Sequence, residues 1–307
     1  MAWAPEQFDR YLELYPGSPP LARSVQRGST EAFIAAWRNE PAMAQALRSR
    51  AARTTIVFVR GYLGHYLPGN LQAARAAVRR LGFDAVIARN QAGGDLEGNV
   101  AAIARQLRRR PTRERLVFCA HSRGGLECLL LLDRDEALQA RCDGVALSQT
   151  PHGPALVMES ILLGRHRETR YGPYRRTAEM LQRAALVALR ATRGGYELTS
   201  EVWPSRVAAV DQKTWPYPVL QTATWSARPT AWLDSFHGRL AEIAPGRAHD
   251  GQFLLEDLIW PRLPHVLLPE VDHAQPVLGG QGFDAARYWL ALLTVLLEPA
   301  ACRRSAA

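Results

Sequence analysis

The chain has 307 residues, 47% of them hydrophobic and 22% charged. That composition excludes a disordered or collagen-like polymer. No stretch reaches the ~18 uninterrupted apolar residues of a membrane span, so no stable membrane insertion is expected. The formal charge of +9 raises the question of nucleic acid, yet Lys213 is the only lysine in a chain rich in Ala, Leu and Arg. The densest basic run, Arg105 to Arg115, lies at a helix end and a turn with no interleaved aromatics. It reads as a solvated face, and no nucleic-acid partner is expected. The cysteines Cys119, Cys128, Cys142 and Cys302 make no CxxC pair. Zinc-ribbon and thioredoxin readings therefore fail. No metalloprotease helix, phosphate loop or dinucleotide fingerprint is present, so neither a cofactor nor a metal is expected. The first 17 residues show no basic segment followed by an apolar run, and a cytoplasmic location is expected.

Residues 1–50 differ in texture from the rest. A Pro-rich break at Tyr15–Pro20 precedes helix-favouring text from Thr30 to Arg50, with Ser29 or Thr30 as the N-cap candidate. This reads as a helical N-terminal extension packed on a core domain of residues 51–300. Strand and helix signals then alternate. Residues 54–59 form an apolar β-rich run, and a helix is expected from Asn70 to Leu81, ended by Gly82. A strand at 83–88 follows, then a helix from Glu97 to Arg110 stopped by Pro111. A strand at 115–120, a helix from Gly124 to Leu132 and a strand at 144–148 come next. Pro154 to about residue 200 is helical and irregular, a candidate cap inserted into the sheet domain. A strand at 218–226, a helix at 231–243, a strand at 266–271 and a helix at 283–297 complete the chain. Continuous apolar strands alternating with helices imply βαβ units, a mostly parallel sheet and an α/β fold.

One segment carries chemistry. The strand ending RLVFC runs into Ala120-His121-Ser122-Arg123-Gly124-Gly125 and then directly into a helix. A serine at the apex of such a turn needs small residues two before and two after it, because the neighbouring backbones come close. Its hydroxyl is then expected to project, exposed, from the sheet edge. An earlier strand ends in Arg60-Gly61-Tyr62-Leu63-Gly64, a glycine-bearing loop. A serine nucleophile also needs a base and an orienting acid. His273 sits in a loop between the last strand and the last helix, with His265 and His249 as rivals. Asp250 lies in an Asp-Gly turn before the last strand. Asp234 and Asp257 compete with it, and Asp272 adjoins the base.

The ordered set resembles the α/β-hydrolase superfamily, and within it bacterial triacylglycerol lipases and carboxylesterases. Arg60-Gly61-Tyr62-Leu63-Gly64 is similar to their His-Gly-x-x-Gly loop, with arginine in place of histidine. Ala120-His121-Ser122-Arg123-Gly124 is similar to their lipase box, whose alanine form occurs in Bacillus-type lipases and a polyhydroxybutyrate depolymerase. Thr150-Pro151-His152-Gly153 resembles a turn those lipases carry after the next strand. His249-Asp250-Gly251 resembles their acid loop, and Asp272-His273 their histidine loop. The resemblance spans about Thr54 to Leu297 with the order preserved.

It implies an α/β-hydrolase fold with a helical cap, and a Ser122–His273–Asp250 triad that transfers an acyl group to water through an acyl-enzyme. It also implies an oxyanion hole made by the backbone N–H groups of Tyr62 and Arg123. The expected partner is a hydrophobic ester substrate. Trp203, Trp215, Trp225 and Trp232 form an aromatic stretch that reads as packing, with an acyl pocket as the alternative. Two other functions remain open: an intracellular polyhydroxyalkanoate depolymerase or acyltransferase on the same triad, and an inactive hydrolase-fold binding protein, favoured by Arg60. No acidic pair clearly rebuilds the calcium site of some secreted lipases.

Overall fold

Thr54–Val59 (β1) carries the β-branched and aromatic run TTIVFV, and its side chains alternate between two buried faces. Val57 and Val59 join one apolar cluster, Ile56 and Phe58 the other. The computed structural model describes residues 27–166, 173–227 and 234–298. Within them the further strands are β2 (Asp84–Ile87), β3 (Arg115–His121), β4 (Cys142–Ser148), β5 (Val219–Trp225) and β6 (His265–Pro269). All neighbours pair in parallel, in the order β2-β1-β3-β4-β5-β6. The chain reverses its direction of travel across the sheet between β1 and β3. Ligand crevices of parallel sheets form at the carboxyl ends of strands flanking such a reversal. The loop after β1 and the turn after β3 are the segments singled out in the sequence.

The α-helices of five residues or more are α1 (Arg27–Arg38), α2 (Glu40–Arg48), α3 (Gln72–Arg80), α4 (Leu96–Arg108) and α5 (Arg123–Arg134), followed by α6 (Pro173–Ala188), α7 (Thr192–Tyr196), α8 (Trp203–Asp211), α9 (Asp234–Ile243) and α10 (Ala285–Leu297). Between β4 and β5 the chain is helical, as expected of a cap; it also contains a short helix at Leu156–Met158 that runs into a π-turn at Glu159–Leu163. Helix α8 is not foreseen in the sequence. Pro204 stands in its first turn, where a proline lacks nothing a helix needs.

Helix α1 begins before Ser29 and Thr30, so neither is its cap. Thr30 instead braces the sheet: its Oγ1 accepts the Leu267 N–H of edge strand β6 at 3.1 Å. Phe33 packs its ring 5.8 Å from Tyr288 of α10, and Arg287 Nε donates to the Trp37 carbonyl at 2.8 Å. The helical extension thus covers the open edge of the sheet, which suppresses pairing with other chains. In the basic run, Arg108 pairs with Asp135, Arg110 with Glu114 and Arg115 with Asp143. Cys119, Cys128 and Cys142 are buried and unpaired. Among the described residues no helix is long and apolar enough to cross a membrane. The Tyr15–Pro20 break, Trp232 and Cys302 lie outside the described residues.

Candidate active site

Ser122 stands between β3 and α5 with φ 54° and ψ −136°, a conformation L-residues rarely adopt. Such strain costs about 1–3 kcal/mol and persists only where the surroundings enforce it. The glycines around it explain how. A Cβ on Gly61 would meet the Ser122 Cβ at 2.7 Å, and one on Gly124 would meet the Arg60 carbonyl oxygen at 2.6 Å. A Cβ on Gly125 would overlap the Thr150 side chain. The turn is therefore packed against backbone and side-chain atoms that leave no room for a Cβ at these three positions.

The serine is not exposed as the sequence pattern predicts. It is only 4% accessible and opens into a cavity beneath the cap. His273 lines the same cavity. Its Nδ1 donates to Asp250 Oδ2 at 2.6 Å, and its backbone N–H donates to the Asp250 carbonyl at 2.9 Å. Asp250 is fully buried, and its Oδ1 accepts the backbone N–H groups of Gln252 and Phe253, both at 2.9 Å. The bond to Asp250 fixes the imidazole tautomer, leaving Nε2 as the free ring nitrogen. Among the described residues no hydrogen bond joins Ser122 Oγ to that ring.

The rival residues are engaged elsewhere. His265 opens β6 and its Nδ1 is bonded to the Leu263 carbonyl at 2.7 Å. His249 packs against His237, ring centroids 4.4 Å apart, and burial lowers its pKa to about 4. Asp257 packs against Gly153, and burial raises its carboxyl to about 6. Asp272 caps the next turn, its Oδ1 accepting from Ala274 at 2.9 Å and Gln275 at 3.0 Å. Asp234 is the first residue of α9.

Two residues that no sequence pattern singles out shape the histidine loop. His121 lies beside His273, centroids 4.7 Å apart. Its Nε2 faces two carbonyl oxygens, Gln149 Oε1 at 3.1 Å and the His273 backbone oxygen at 2.9 Å, so that nitrogen carries the hydrogen. Burial pushes its pKa down to about 3 and keeps it neutral. Gln149 Nε2 donates in turn to the Asp272 carbonyl at 2.9 Å. His121 immediately precedes the serine, and its bond to His273 spans more than a hundred residues, which no local pattern reveals.

Tyr62 lies in the loop after β1 and Arg123 in the first turn of α5. Neither backbone N–H donates to another described backbone group. With arginine at position 60, the loop is held through its backbone: Asn90 Nδ2 donates to the Arg60 carbonyl at 2.8 Å and to Glu127 Oε2 at 2.7 Å. Glu127 is fully buried, also accepts from Asn99 at 2.7 Å, and pairs with the buried Arg123 guanidinium at 3.1 Å. Burial raises the Glu127 pKa against the pull of Arg123. Arg123 further donates to the Gly194 carbonyl at 3.1 Å, and Tyr62 Oη donates to the Ala191 carbonyl at 2.7 Å. One buried network thus ties both loops to the cap.

The apolar wall of the cavity comes from Ala155, Val157, Met158, Leu198, Phe236 and Phe253. Trp203 and Trp225 are core residues and Trp215 stacks on Tyr217, so none of these three forms an acyl pocket. Among the described residues no group of His, Cys, Asp and Glu is placed to hold a metal ion.

No protein-family model matches the sequence, and no curated protein does. Solved structures are similar. A carboxyl esterase from a metagenome aligns over 80% of this chain and 76% of its own, at 19% identity and a TM-score of 0.61. The mature Bacillus licheniformis lipase aligns over 75% of this chain and 88% of its own, at 16% identity and a TM-score of 0.54. Its propeptide form aligns over 77% of this chain and 50% of its own, at 17% identity and a TM-score of 0.56. At such identities the likeness concerns the fold, and with the parallel sheet and the strand–serine–helix turn it leads to one conclusion: the chain has the α/β-hydrolase fold.

Proposed function

We propose that the protein is a serine carboxylic-ester hydrolase acting on hydrophobic esters through an acyl-enzyme. The observation that carries this reading is a strained serine sharing one apolar cavity with an imidazole bound to a buried aspartate. Ser122 Oγ attacks the ester carbonyl while His273 Nε2 takes its proton. Asp250 holds the tautomer and stabilises the imidazolium. The N–H groups of Tyr62 and Arg123 receive the developing oxyanion, each donor contributing roughly 3–4 kcal/mol. His273 then protonates the leaving alcohol, and water repeats the sequence on the acyl-enzyme. The metagenomic esterase and the Bacillus licheniformis lipase share the fold and lend support by analogy only. A cytoplasmic setting belongs to the same proposal and is supported by three unpaired buried thiols.

The experiment is hydrolysis of p-nitrophenyl esters from acetate to palmitate by wild type and Ser122→Ala. Wild type is expected to turn over the apolar esters, and the variant to lose about a thousandfold or more. Equal rates at every chain length overturn the proposal.

A further inference from the structure

Asn70 lies in the cavity wall beside the loop that carries Tyr62, together with Gly64 and Leu67. It is 2% exposed, and its carboxamide makes no hydrogen bond among the described residues. Apart from Ser122 Oγ and His273 Nε2, which the proposed reaction uses, the other buried polar groups of that wall are engaged. Tyr62 Oη is bonded to Ala191, His121 Nε2 to two carbonyls, and His273 Nδ1 to Asp250. Gln252 is only half-buried and keeps contact with solvent. Asn70 is therefore a deeply buried amide in the wall of this cavity, with no partner for its carboxamide among the described residues. A buried amide opposes binding of any ligand that leaves it unpaired and favours one that completes it.

The surroundings restrict the chemistry of that ligand group. The Arg60 Cβ and Asn70 Nδ2 lie 3.2 Å and 3.3 Å from the place a Cβ on Gly64 would occupy, so the arginine runs beside the amide. Arg60 forms no ion pair among the described residues, and Arg75 adds to the positive potential there. An ammonium group is repelled. A carboxylate finds in the cavity lining only an amide, because Arg60 is not part of it. An uncharged hydroxyl fits by accepting from Nδ2, or by donating to Oδ1 if the carboxamide turns its buried oxygen to the cavity.

We propose that the substrate is an ester bearing a hydroxyl close to the scissile bond, and that Asn70 is the specificity-determining residue that selects it. This rests on the esterase reading above. The test compares esters that differ only by hydroxyl against methyl. In the acyl arm these are p-nitrophenyl 3-hydroxybutyrate and p-nitrophenyl 3-methylbutyrate. In the alcohol arm they are 2-hydroxyethyl butyrate and propyl butyrate, followed by pH-stat. Wild type is expected to favour the hydroxyl member at least about tenfold in kcat/KM in one arm. Asn70→Leu is expected to bring that ratio towards one, and Asn70→Ala serves the same purpose if the leucine variant does not fold. Hydrolysis without preference in either arm overturns this proposal alone, as does a ratio unchanged in the variants. Absence of hydrolysis of every ester overturns the esterase reading and this proposal with it.

Discussion

Replacing Gly124 by alanine tests whether the turn after β3 and the loop after β1 act as one unit. The added methyl would stand 2.6 Å from the Arg60 carbonyl oxygen and 2.9 Å from that of Val59. Both atoms are backbone, so no rotamer change relieves the overlap. To reach an ordinary contact at 3.4 Å, the Arg60 carbonyl must retreat by about 0.8 Å. That carbonyl is anchored by Asn90 and lies two residues before the Tyr62 N–H. A donor at roughly 2.9 Å from an oxyanion, displaced by such a distance, no longer makes a useful bond. Losing one donor of this kind lowers kcat about 10²–10³-fold. Overpacking adds roughly 1–3 kcal/mol of destabilisation. The assay is kcat and KM on p-nitrophenyl butyrate beside urea unfolding of the same preparation. The expected result is a kcat reduced at least about a hundredfold, with a protein still folded at the assay temperature. A folded Gly124→Ala with wild-type kcat refutes the coupling of the two loops.

Two buried imidazoles contribute to acid stability. Burial keeps His121 and His249 neutral, with values near 3 and 4 against the ordinary 6.5, so the unfolded chain binds the extra protons. Stability is full above about pH 6.5 and declines as pH falls towards those values, each group contributing roughly 2–3 kcal/mol of loss at about pH 4.5. Urea midpoints between pH 7 and 4.5 check this; His249→Phe should flatten the slope, and a pH-independent midpoint contradicts it. Glu127→Leu strands the fully buried Arg123 and two asparagine amides. It is expected to cost about 3–5 kcal/mol in denaturant titration, and a loss below about 1 kcal/mol tells against the network. Gly238 is exposed within α9, with nothing within 4 Å of an added Cβ. Gly238→Ala should raise stability by about 0.5–1 kcal/mol through helix propensity, read as a higher thermal midpoint, and a lower midpoint contradicts it.

Much of the architecture is legible because its causes are local. The strands at 54–59 and 115–121 announce themselves by their apolar runs, since both faces of a parallel sheet are covered. The turn at Ser122 is legible because its glycines answer a steric demand within a few residues. Helix α8 escapes notice because Trp203, Pro204 and Trp215 read as aromatic packing, and a proline in the first turn hides a helix start. The cavity escapes for a different reason. Its apolar wall combines Ala155, Val157, Leu198 and Phe236, each unremarkable in its own segment.

Sequence alone determined the order of the elements, the sharp turn and the types of residue available as base and acid, because those follow from periodicity, steric size and side-chain chemistry. It preferred His273 to His249 and His265 by its place in a loop, and Asp250 to Asp234, Asp257 and Asp272 by its turn, with no contact to distinguish them. Tertiary structure separated them. It set Asp250 Oδ2 at 2.6 Å from His273 and engaged the other candidates in packing and turns. It also placed the serine under a cap instead of in the open. Proximity between residues far apart along the chain is decided by how helices and strands pack, and packing is a property of the whole core.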